Sequence, residues 1–242
     1  MHSDLPSNSI IVFEHVSKVF KNKDRDNTNL LDLSFSIEKG EFVSFVGPSG
    51  CGKTTIMQLL TGIIEKTSGT ITAPEKIIMV FQKDSLLPWL TVLENITLVL
   101  INEKISEEAK IEIAKATLSL LQIEELMYRY PHELSGGQTQ SVAIARALAV
   151  NPAVLILDEP FSALDEKTKI ELHKDVMTAW KKHNLTILMI SHQIEEAVLM
   201  SERIIIIKDH KNSHEYSVPF HYPRSIDDSR VVDMMLKIRD RL

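Results

Sequence analysis

Residues 42–63 read FVSFVGPSGCGKTTIMQLLTGI, and this stretch decides the fold. The apolar run from Phe42 to Val46 predicts a buried strand, and the apolar spacing after Lys53 predicts a helix. Between them, residues 47–54 match G-x-x-x-x-G-K-[ST], a pattern whose glycines let successive backbone N–H groups point at phosphate oxygens. The order of strand, loop and helix therefore predicts a nucleotide phosphate site in an α/β protein.

The residue types in this loop predict separate tasks. Lys53 would neutralise the β and γ phosphates of a nucleotide, and the Thr54 hydroxyl would hold Mg²⁺. Cys51 is predicted to be a structural side chain and not a nucleophile, although its alkylation should obstruct nucleotide. We therefore predict that ATP contacts the whole run of Gly47, Pro48, Ser49, Gly50, Cys51, Gly52, Lys53, Thr54 and Thr55.

A second apolar run, VLILDEP at residues 154–160, ends in two adjacent carboxylates. An acid at such a strand end can hold Mg²⁺ through its water shell, which predicts this role for Asp158. The carboxylate beside it, Glu159, can polarise the attacking water as a general base. Taken alone, the pair could equally cap the next helix. The phosphate loop in the same chain favours the catalytic interpretation.

The bulk composition excludes several classes of protein. The chain has 242 residues and a net charge of −6, which argues against a nucleic-acid binder. One cysteine permits no internal disulfide and fits a reducing compartment. The start, MHSDLPSNSI, does not resemble a signal peptide, and the longest aliphatic run, Ile204–Ile207, is far below the ~20 residues of a membrane helix. We expect a soluble, cytoplasmic protein.

Strands alternate with helices after residue 40, which predicts a parallel sheet preceded by an antiparallel segment. Residues 9–20 predict a strand whose alternation slips midway, and the polar residues 21–29 predict a loop. Helices are predicted over residues 106–126, with Ser106 as the N-cap, and over residues 167–184. Residues 227–242 predict a terminal amphipathic helix.

A third motif, LSGGQ at residues 134–138, opens another helix with two glycines and is thus a second anion site. With this motif the chain resembles the nucleotide-binding subunit of an ABC transporter. The resemblance implies a P-loop NTPase fold with a RecA-like parallel-sheet core, an N-terminal antiparallel β subdomain and an inserted α-helical subdomain. It implies an ATPase domain over residues 9–225, a helical subdomain over about 84–138 and a C-terminal helical tail over 226–242.

The same resemblance implies roles for further residues. In the family two subunits close head to tail around two ATP molecules. The LSGGQ motif, called the signature, of one subunit then faces the γ-phosphate held by the other. Asp165, in the segment SALD, joins the two sites. By this resemblance, Gln82 would sense Mg²⁺ and water, and His192 would contact the γ-phosphate. Phe20 stacks on adenine, or else belongs to the core. The resulting partner-facing set is Ser135, Gly136, Gly137 and Gln138.

The chain departs from the family pattern in two ways, at three positions. The helix after the signature often carries two arginines, whereas this chain has Thr139 and Ser141. Their absence should weaken the local positive potential without removing backbone donors. The family histidine is commonly followed by aspartate, but Gln193 follows His192 here. Neither change removes a group that performs chemistry, so we expect hydrolysis to survive.

The segment DSLLPWLTVLENI at residues 84–96 places Trp89 beside a predicted helix that Thr91 would cap. By resemblance, this subdomain receives the coupling helix of a membrane permease. Trp89 therefore either contacts the permease or packs inside the subdomain, and the residues alone favour neither.

The segments LLPWLTVLEN, SGTITAPEKIIMVFQ and YPR resemble those of the nitrate/sulfonate/taurine importer ATPases. The resemblance implies a homodimeric ATPase at the cytoplasmic face of the membrane. It would power import of a small solute through a separate permease, with an extracytoplasmic solute-binding protein as an indirect partner. The alternative is a soluble ABC ATPase of the kind that serves iron–sulfur cluster assembly. ABC ATPases of DNA repair or translation are a third class, which add coiled coils or tandem domains for which this chain has no room.

Overall fold

The computed structural model describes residues 8–22, 25–82 and 86–242. The strands in these ranges are β1 (Ser9–Asn22), β2 (Arg25–Glu38), β3 (Phe42–Val46), β4 (Ser68–Thr72), β5 (Ile77–Val80), β6 (Val154–Asp158), β7 (Thr186–Ser191), β8 (Arg203–Lys208) and β9 (Lys211–Ser217). The α-helices are α1 (Lys53–Leu60), α2 (Val92–Leu98), α3 (Glu107–Leu120), α4 (Gly136–Ala149), α5 (Glu166–His183), α6 (Ile194–Met200) and α7 (Ser229–Arg239).

The larger sheet has the strand order β5-β6-β7-β3-β8-β9. Its first five strands pair in parallel, and β9 pairs antiparallel to β8 at the edge. Every residue of β3 and of β7 is buried, which explains why these strands read as unbroken apolar runs in the sequence. The prediction of a parallel α/β sheet is confirmed. The sheet brings the ends of β3, β6 and β7, which carry the predicted site residues, to one edge.

The N-terminal strands form a separate antiparallel sheet in the order β2-β1-β4. The register of β1 against β2 shifts between Phe13 and Val16, where His15 has a φ of 50°. A β-bulge therefore explains the slip in the alternation of residues 9–20. The loop predicted over residues 21–29 is wrong, because β1 and β2 continue to the backbone pair of Asn22 with Arg25. Strand pairing joins backbone groups, so a polar run is no obstacle to it; residues 23 and 24 lie outside the described residues.

Helices α2, α3 and α4 lie between β5 and β6. Thr91 caps α2 in a reciprocal box with Glu94, and the Ser106 hydroxyl accepts a hydrogen bond from the Ala109 N–H at the start of α3. Both predicted N-caps are confirmed. The helix predicted to residue 126 ends at residue 120, because Gln122 adopts a left-handed φ of 54° and only a short 3-10 turn follows. The predicted start of this subdomain, residue 84, lies outside the described residues.

Apolar side chains from helices, turns and strands form one core on the large sheet, with Val176 of α5, Phe161 of the turn after β6 and Met189 of β7 fully buried. Near the C-terminus, α7 packs Val231 and Ile238 against α6 and β8. In the described part of the chain, every helix is too short or too polar to cross a bilayer.

Candidate functional site

The phosphate loop joins β3 to α1, and its glycines meet backbone requirements that other residues could not. A Cβ on Gly47 would lie 2.1 Å from the carbonyl oxygen of Ile207, so the strand end admits no side chain. Gly50 and Gly52 have φ values of 79° and 107°, in the left-handed region that glycine adopts without strain. Gly52 is the N-cap of α1 and no side chain caps this helix. Within the described ranges, no side chain therefore caps the first N–H groups of α1.

Lys53 lies folded back over its own loop. Its side chain is nearly buried, and Nζ donates hydrogen bonds to the carbonyl oxygens of Gly47 at 2.6 Å and Pro48 at 3.0 Å. A cavity of about 270 Å³ opens beside it, and Glu159 is also part of the cavity lining. Cys51 is buried among apolar side chains, with its Sγ 3.8 Å from Nζ, as expected for a structural residue. The full lining is Ser49, Gly50, Gly52, Lys53, Thr54, Thr55 and Glu159.

Three predicted catalytic side chains converge at this cavity. Oε2 of Glu159 lies 3.1 Å from Nε2 of Gln82 and 3.3 Å from Nδ1 of His192. Glu159 has a φ of 47°, a left-handed conformation that is unusual for its type. Its backbone N–H donates to the carbonyl of Ile190 at 3.0 Å, which fixes it between the ends of β6 and β7. Such strain, held by neighbouring strands, is typical of functional positions.

Ser162 is a site residue to which the sequence analysis assigned no role. Its hydroxyl donates to the carbonyl of Glu159 at 3.0 Å and accepts from Nε2 of Gln82 at 3.2 Å. Ser162 therefore links the Gln82 loop to the strained turn at Glu159. Ser162 is the first residue of the motif SALD, so the sequence marked this segment. The sequence does not show that the Ser162 hydroxyl contacts Gln82 and Glu159.

Asp158 sits at the end of β6, partly withdrawn from solvent. Burial raises the pKa of its carboxyl, the adjacent Glu159 carboxylate raises the pKa further, and the Lys53 ammonium lowers it. The charges of Lys53 and Glu159 thus shift the pKa of Asp158 in opposite directions. A carboxylate, the Thr54 hydroxyl and the Gln82 amide are hard oxygen donors of the kind that Mg²⁺ prefers, so the residues present fit this cation.

The signature turn is built differently from the phosphate loop. Ser135 caps α4 in a reciprocal box: its hydroxyl accepts from the N–H of Gln138 at 3.3 Å, and its own N–H donates to Oε1 of Gln138 at 3.0 Å. A Cβ on Gly136 would meet open space, whereas one on Gly137 would lie 2.1 Å from Cγ2 of Thr168 on α5. Gly137 is therefore required by helix packing. The turn lines a separate cavity of about 430 Å³ that shares no lining residue with the phosphate cavity.

Asp165, Thr139 and Ser141 surround this turn. Asp165 caps α5, because its Oδ1 accepts from the Thr168 N–H and its Oδ2 from the Thr168 hydroxyl. These two hydrogen bonds hold the pKa of Asp165 below its ordinary value. Thr139 and Ser141 are buried, and their hydroxyls donate back to the carbonyls of Ser135 and Gly137, both at 3.0 Å. At these two places, therefore, the chain carries hydroxyls that stay within the helix.

Phe20 and Trp89 both lie outside the buried core of the described chain. Phe20 is half-buried, and Nζ of Lys18 lies 4.9 Å from its ring centroid. Trp89 is 69% exposed, so the interpretation that it packs inside the subdomain is wrong. Phe81 and Ile101 are likewise exposed. Nearby, an apolar groove of about 440 Å³ runs between β5, α2 and α4 and is lined by Ile78, Met79, Val80, Leu98, Val99, Ile101, Asn102, Ala143, Arg146, Ala147 and Val150.

Comparisons with known proteins agree with this geometry. A family model described as ABC transporter matches residues 30–162. The bicarbonate transport ATP-binding protein CmpD of Synechocystis sp. is 38% identical over 93% of this chain and 84% of its own length. The nitrate import ATP-binding protein NrtD of Synechococcus elongatus is 34% identical over 100% of this chain and 97% of its own. A solved dimeric structure of the ATP-binding cassette MJ0796, in a post-hydrolysis state with ADP and Pi, is 32% identical with a TM-score of 0.77, covering 87% of this chain and 100% of that one.

Proposed function

Because the chain belongs to the ABC transporter family, we propose that it hydrolyses ATP to power import of a small solute through a separate membrane permease. The solute belongs to the nitrate/sulfonate/taurine-like class, a proposal supported by relatives named for nitrate and bicarbonate import. The observation that carries the proposal is the convergence of Gln82 and His192 on one carboxylate oxygen of Glu159, which lines the same cavity as Lys53. The iron–sulfur alternative finds no support in the relatives compared above.

ATP phosphates would enter the cavity beside Lys53. The ammonium now donates to two loop carbonyls, and phosphate oxygens would replace these acceptors, because a charged acceptor forms the stronger hydrogen bond. The uncapped N–H groups of α1 add donors and the positive end of a helix dipole. Phe20 would stack on the base, once the Lys18 ammonium moves aside or rests on the opposite face. Binding thus uses groups from this one chain.

Mg²⁺ would be held by the Thr54 hydroxyl, with Asp158 and Gln82 acting on it directly or through water. When bound, the cation neutralises charge that develops on the phosphate oxygens. Asp158 suits this role because burial and Glu159 raise the energy of its charged form, and a nearby cation would relieve that cost.

Glu159 would take a proton from the attacking water onto its carboxylate. Gln82 Nε2 and His192 Nδ1 both lie beside Oε2, so they orient the carboxylate and leave Oε1 to face the water. The backbone strain at Glu159, fixed through Ile190, holds the side chain at the mouth of the cavity. A positioned general base contributes about 10²–10⁴-fold to rate.

Two copies would then close head to tail, so that Ser135 and Gly137 of one copy contact the γ-phosphate on Lys53 of the other. Two observations support this arrangement. The signature turn is a helix start with glycine donors, and it lines a cavity separate from the phosphate cavity of its own chain. The similar cassette MJ0796 has been solved as a dimer with ADP and Pi, which supports pairing of two copies.

The exposed residues Phe81, Trp89 and Ile101, with the groove beside them, would receive the coupling segment of the permease. Exposed large apolar side chains near an apolar groove are typical of a partner site. Phe81 is adjacent to Gln82, so a movement at the permease joint reaches the Glu159 carboxylate through one side chain. The ATPase would thus sit peripherally at the cytoplasmic membrane face, and meet a solute-binding protein only through the permease.

The test is uptake by cells that lack this gene. Four labelled solutes, nitrate, bicarbonate, taurine and an alkanesulfonate, are offered to the deletion strain and to strains restored with variants. We expect the deletion to lose uptake of one of them and the wild-type gene to restore it. Glu159→Gln should fail to restore uptake, while Glu195→Gln, which changes an exposed carboxylate on α6, should succeed. Unchanged uptake of all four solutes after deletion, or restoration by Glu159→Gln, would contradict the proposal.

A further inference from the structure

A buried ion pair lies behind His192 and takes no part in the chemistry described so far. Nζ of Lys169 on α5 approaches Oε1 of Glu196 on α6 at 3.3 Å, and the two side chains are 13% and 5% exposed. Removing two charges from water is costly, and a buried ion pair is weak evidence for stability by itself. We therefore ask which residues this pair holds in position, rather than how much it stabilises the fold.

Hydrogen bonds extend the pair to both neighbours of His192. Oε2 of Glu196 accepts from the Ser191 hydroxyl at 2.7 Å, and that hydroxyl accepts from the N–H of Gln193 at 2.9 Å. On the other side, Oε1 of Gln193 accepts from Nζ of Lys169 at 3.1 Å. Ser191 and Gln193 flank His192 in the chain, so the network holds the backbone on both sides of the imidazole. The imidazole then lies 3.3 Å from Glu159.

The same lysine is tied to the turn that carries Asp165. The backbone N–H of Lys169 donates to the carbonyl of Asp165 at 2.9 Å in the first turn of α5, and Asp165 caps that helix. The two residues therefore belong to one helical turn. Lys169 connects this turn to Gln193 directly, and to Ser191 through Glu196.

The charges around Lys169 leave Glu196 as its close acidic partner. Burial and the Lys169 charge lower the pKa of His173 to about 4, so this neighbour is neutral at physiological pH. Arg224 lines the same cavity of about 280 Å³, but its guanidinium donates to the carbonyls of Val198, Ser201 and Phe220. Glu166 and Glu195, also in the lining, are exposed to solvent.

We propose that Lys169 is a positioning residue for ATP hydrolysis: with Glu196 and Ser191 it fixes Gln193, and so holds the His192 imidazole against Glu159 in step with the Asp165 turn. The inference rests on the proposed function. It also explains the departure at Gln193, because this side chain reaches the lysine on α5.

The test measures kcat and KM for ATP in full-length protein, with thermal unfolding of each variant. Lys169→Met keeps the aliphatic stem and removes the charge; we expect kcat to fall about 10-fold with KM within about twofold, because a misplaced group slows the chemical step. Lys169→Arg should restore at least half of kcat. The matched control is Lys110→Met on α3, which removes another nearly buried lysine whose Nζ lies 2.6 Å from Glu107. It should leave kcat unchanged.

Gln193→Leu keeps the test decisive if Lys169→Met fails to fold, since Gln193 is only half-buried. We expect its kcat to fall about threefold with KM unchanged, as for a small displacement of the imidazole. The inference would be overturned if folded Gln193→Leu kept the wild-type kcat. It would also be overturned if, in Lys169→Met, KM rose by as large a factor as kcat fell. Absence of hydrolysis in the wild-type protein would instead overturn the proposed function.

Discussion

Two helices of the chain, α1 and α4, begin at or beside glycines, and they differ in how their first N–H groups are capped. At α1 the N-cap is Gly52, no side chain caps the helix, and a nearly buried Lys53 donates to the carbonyls of its own loop. At α4 the N-cap is Ser135, which exchanges hydrogen bonds with Gln138 in a reciprocal box. The first helix start has no side-chain cap and lies beside a cavity, whereas the second pairs the N–H groups of Ser135 and Gln138 within its own turn.

The difference teaches which half of the site is complete in one chain. A helix start without a cap stabilises an incoming anion, because its N–H groups have no competing acceptor. At α4 the N–H of Gln138 already donates to the Ser135 hydroxyl oxygen at 3.3 Å, so this backbone donor is not open to an incoming phosphate. We therefore expect ATP to bind first at Lys53 and the signature to engage afterwards, from the partner copy. The following predictions test this division.

The largest effect is expected at Glu159, on the phosphate-loop side. Glu159→Gln should lower the single-turnover rate of ATP hydrolysis by about 10²-fold or more, because it removes a general base. ATP affinity, measured with a fluorescent analogue, should remain within about twofold, because the amide keeps the shape and Lys53 is untouched. A normal rate would mean that another group activates water.

Lys53→Met should lower the affinity of the isolated subunit for ATP by about 30-fold, which corresponds to the ~2 kcal/mol of a hydrogen bond to a charged group. Ser135→Ala should leave that affinity unchanged in the monomer, because the signature lines a different cavity. Equal losses in the two variants, measured by equilibrium titration of monomer, would abolish the distinction between the two helix starts.

Gly137→Ala should destabilise the fold by about 1–3 kcal/mol, since the new Cβ would lie 2.1 Å from Cγ2 of Thr168 and overpack α4 against α5. Adding Thr168→Ser removes that methyl group, keeps the hydroxyl on Asp165, and should recover most of the loss. Gly136→Ala is the control, because its Cβ meets open space. Urea unfolding measures all three, and equal stability of the two single variants would contradict the packing argument.

The smallest effect is expected at Asp158. Its pKa is raised in the folded protein, chiefly by burial, so its charged form opposes folding once the pH exceeds the ordinary value of 3.8. Asp158→Asn should therefore raise the melting temperature slightly at pH 7.5, and this gain should vanish as the pH falls to 3.8 and below. Nucleotide-free protein, compared by calorimetry at the two pH values, provides the measurement. A lower melting temperature at pH 7.5 would show that Asp158 is stabilised in its charged form.

Local chemistry explains what the sequence could predict. The caps at Thr91 and Ser106 depend on side chains bonding to N–H groups three residues away, and the phosphate loop depends on glycines at fixed spacing within eight residues. Contacts between residues that are distant in the sequence could not be predicted from local patterns. The polar residues 21–22 and 25–29 continue two strands because β1 pairs with β2, and Gly137 is needed because Thr168, from α5, lies next to it.

The ion pair behind His192 could not be found from the sequence for the same reason. Lys169 and Glu196 lie on different helices, and each would pass for a solvated charge in a helical pattern. The exposure of Trp89 was also undetermined, since aromatic residues serve cores and interfaces alike. In both cases the burial of a side chain depends on elements that are distant in the chain.

The most direct measurement is the mass of the Glu159→Gln variant by light scattering in the presence of ATP and Mg²⁺. If each ATP lies between Lys53 of one copy and the Ser135–Gly137 turn of the other, the variant should elute at twice the 27.4 kDa of one chain with ATP and at the single mass with ADP. A variant that binds ATP and still remains monomeric, including with its permease in detergent, would contradict the shared site.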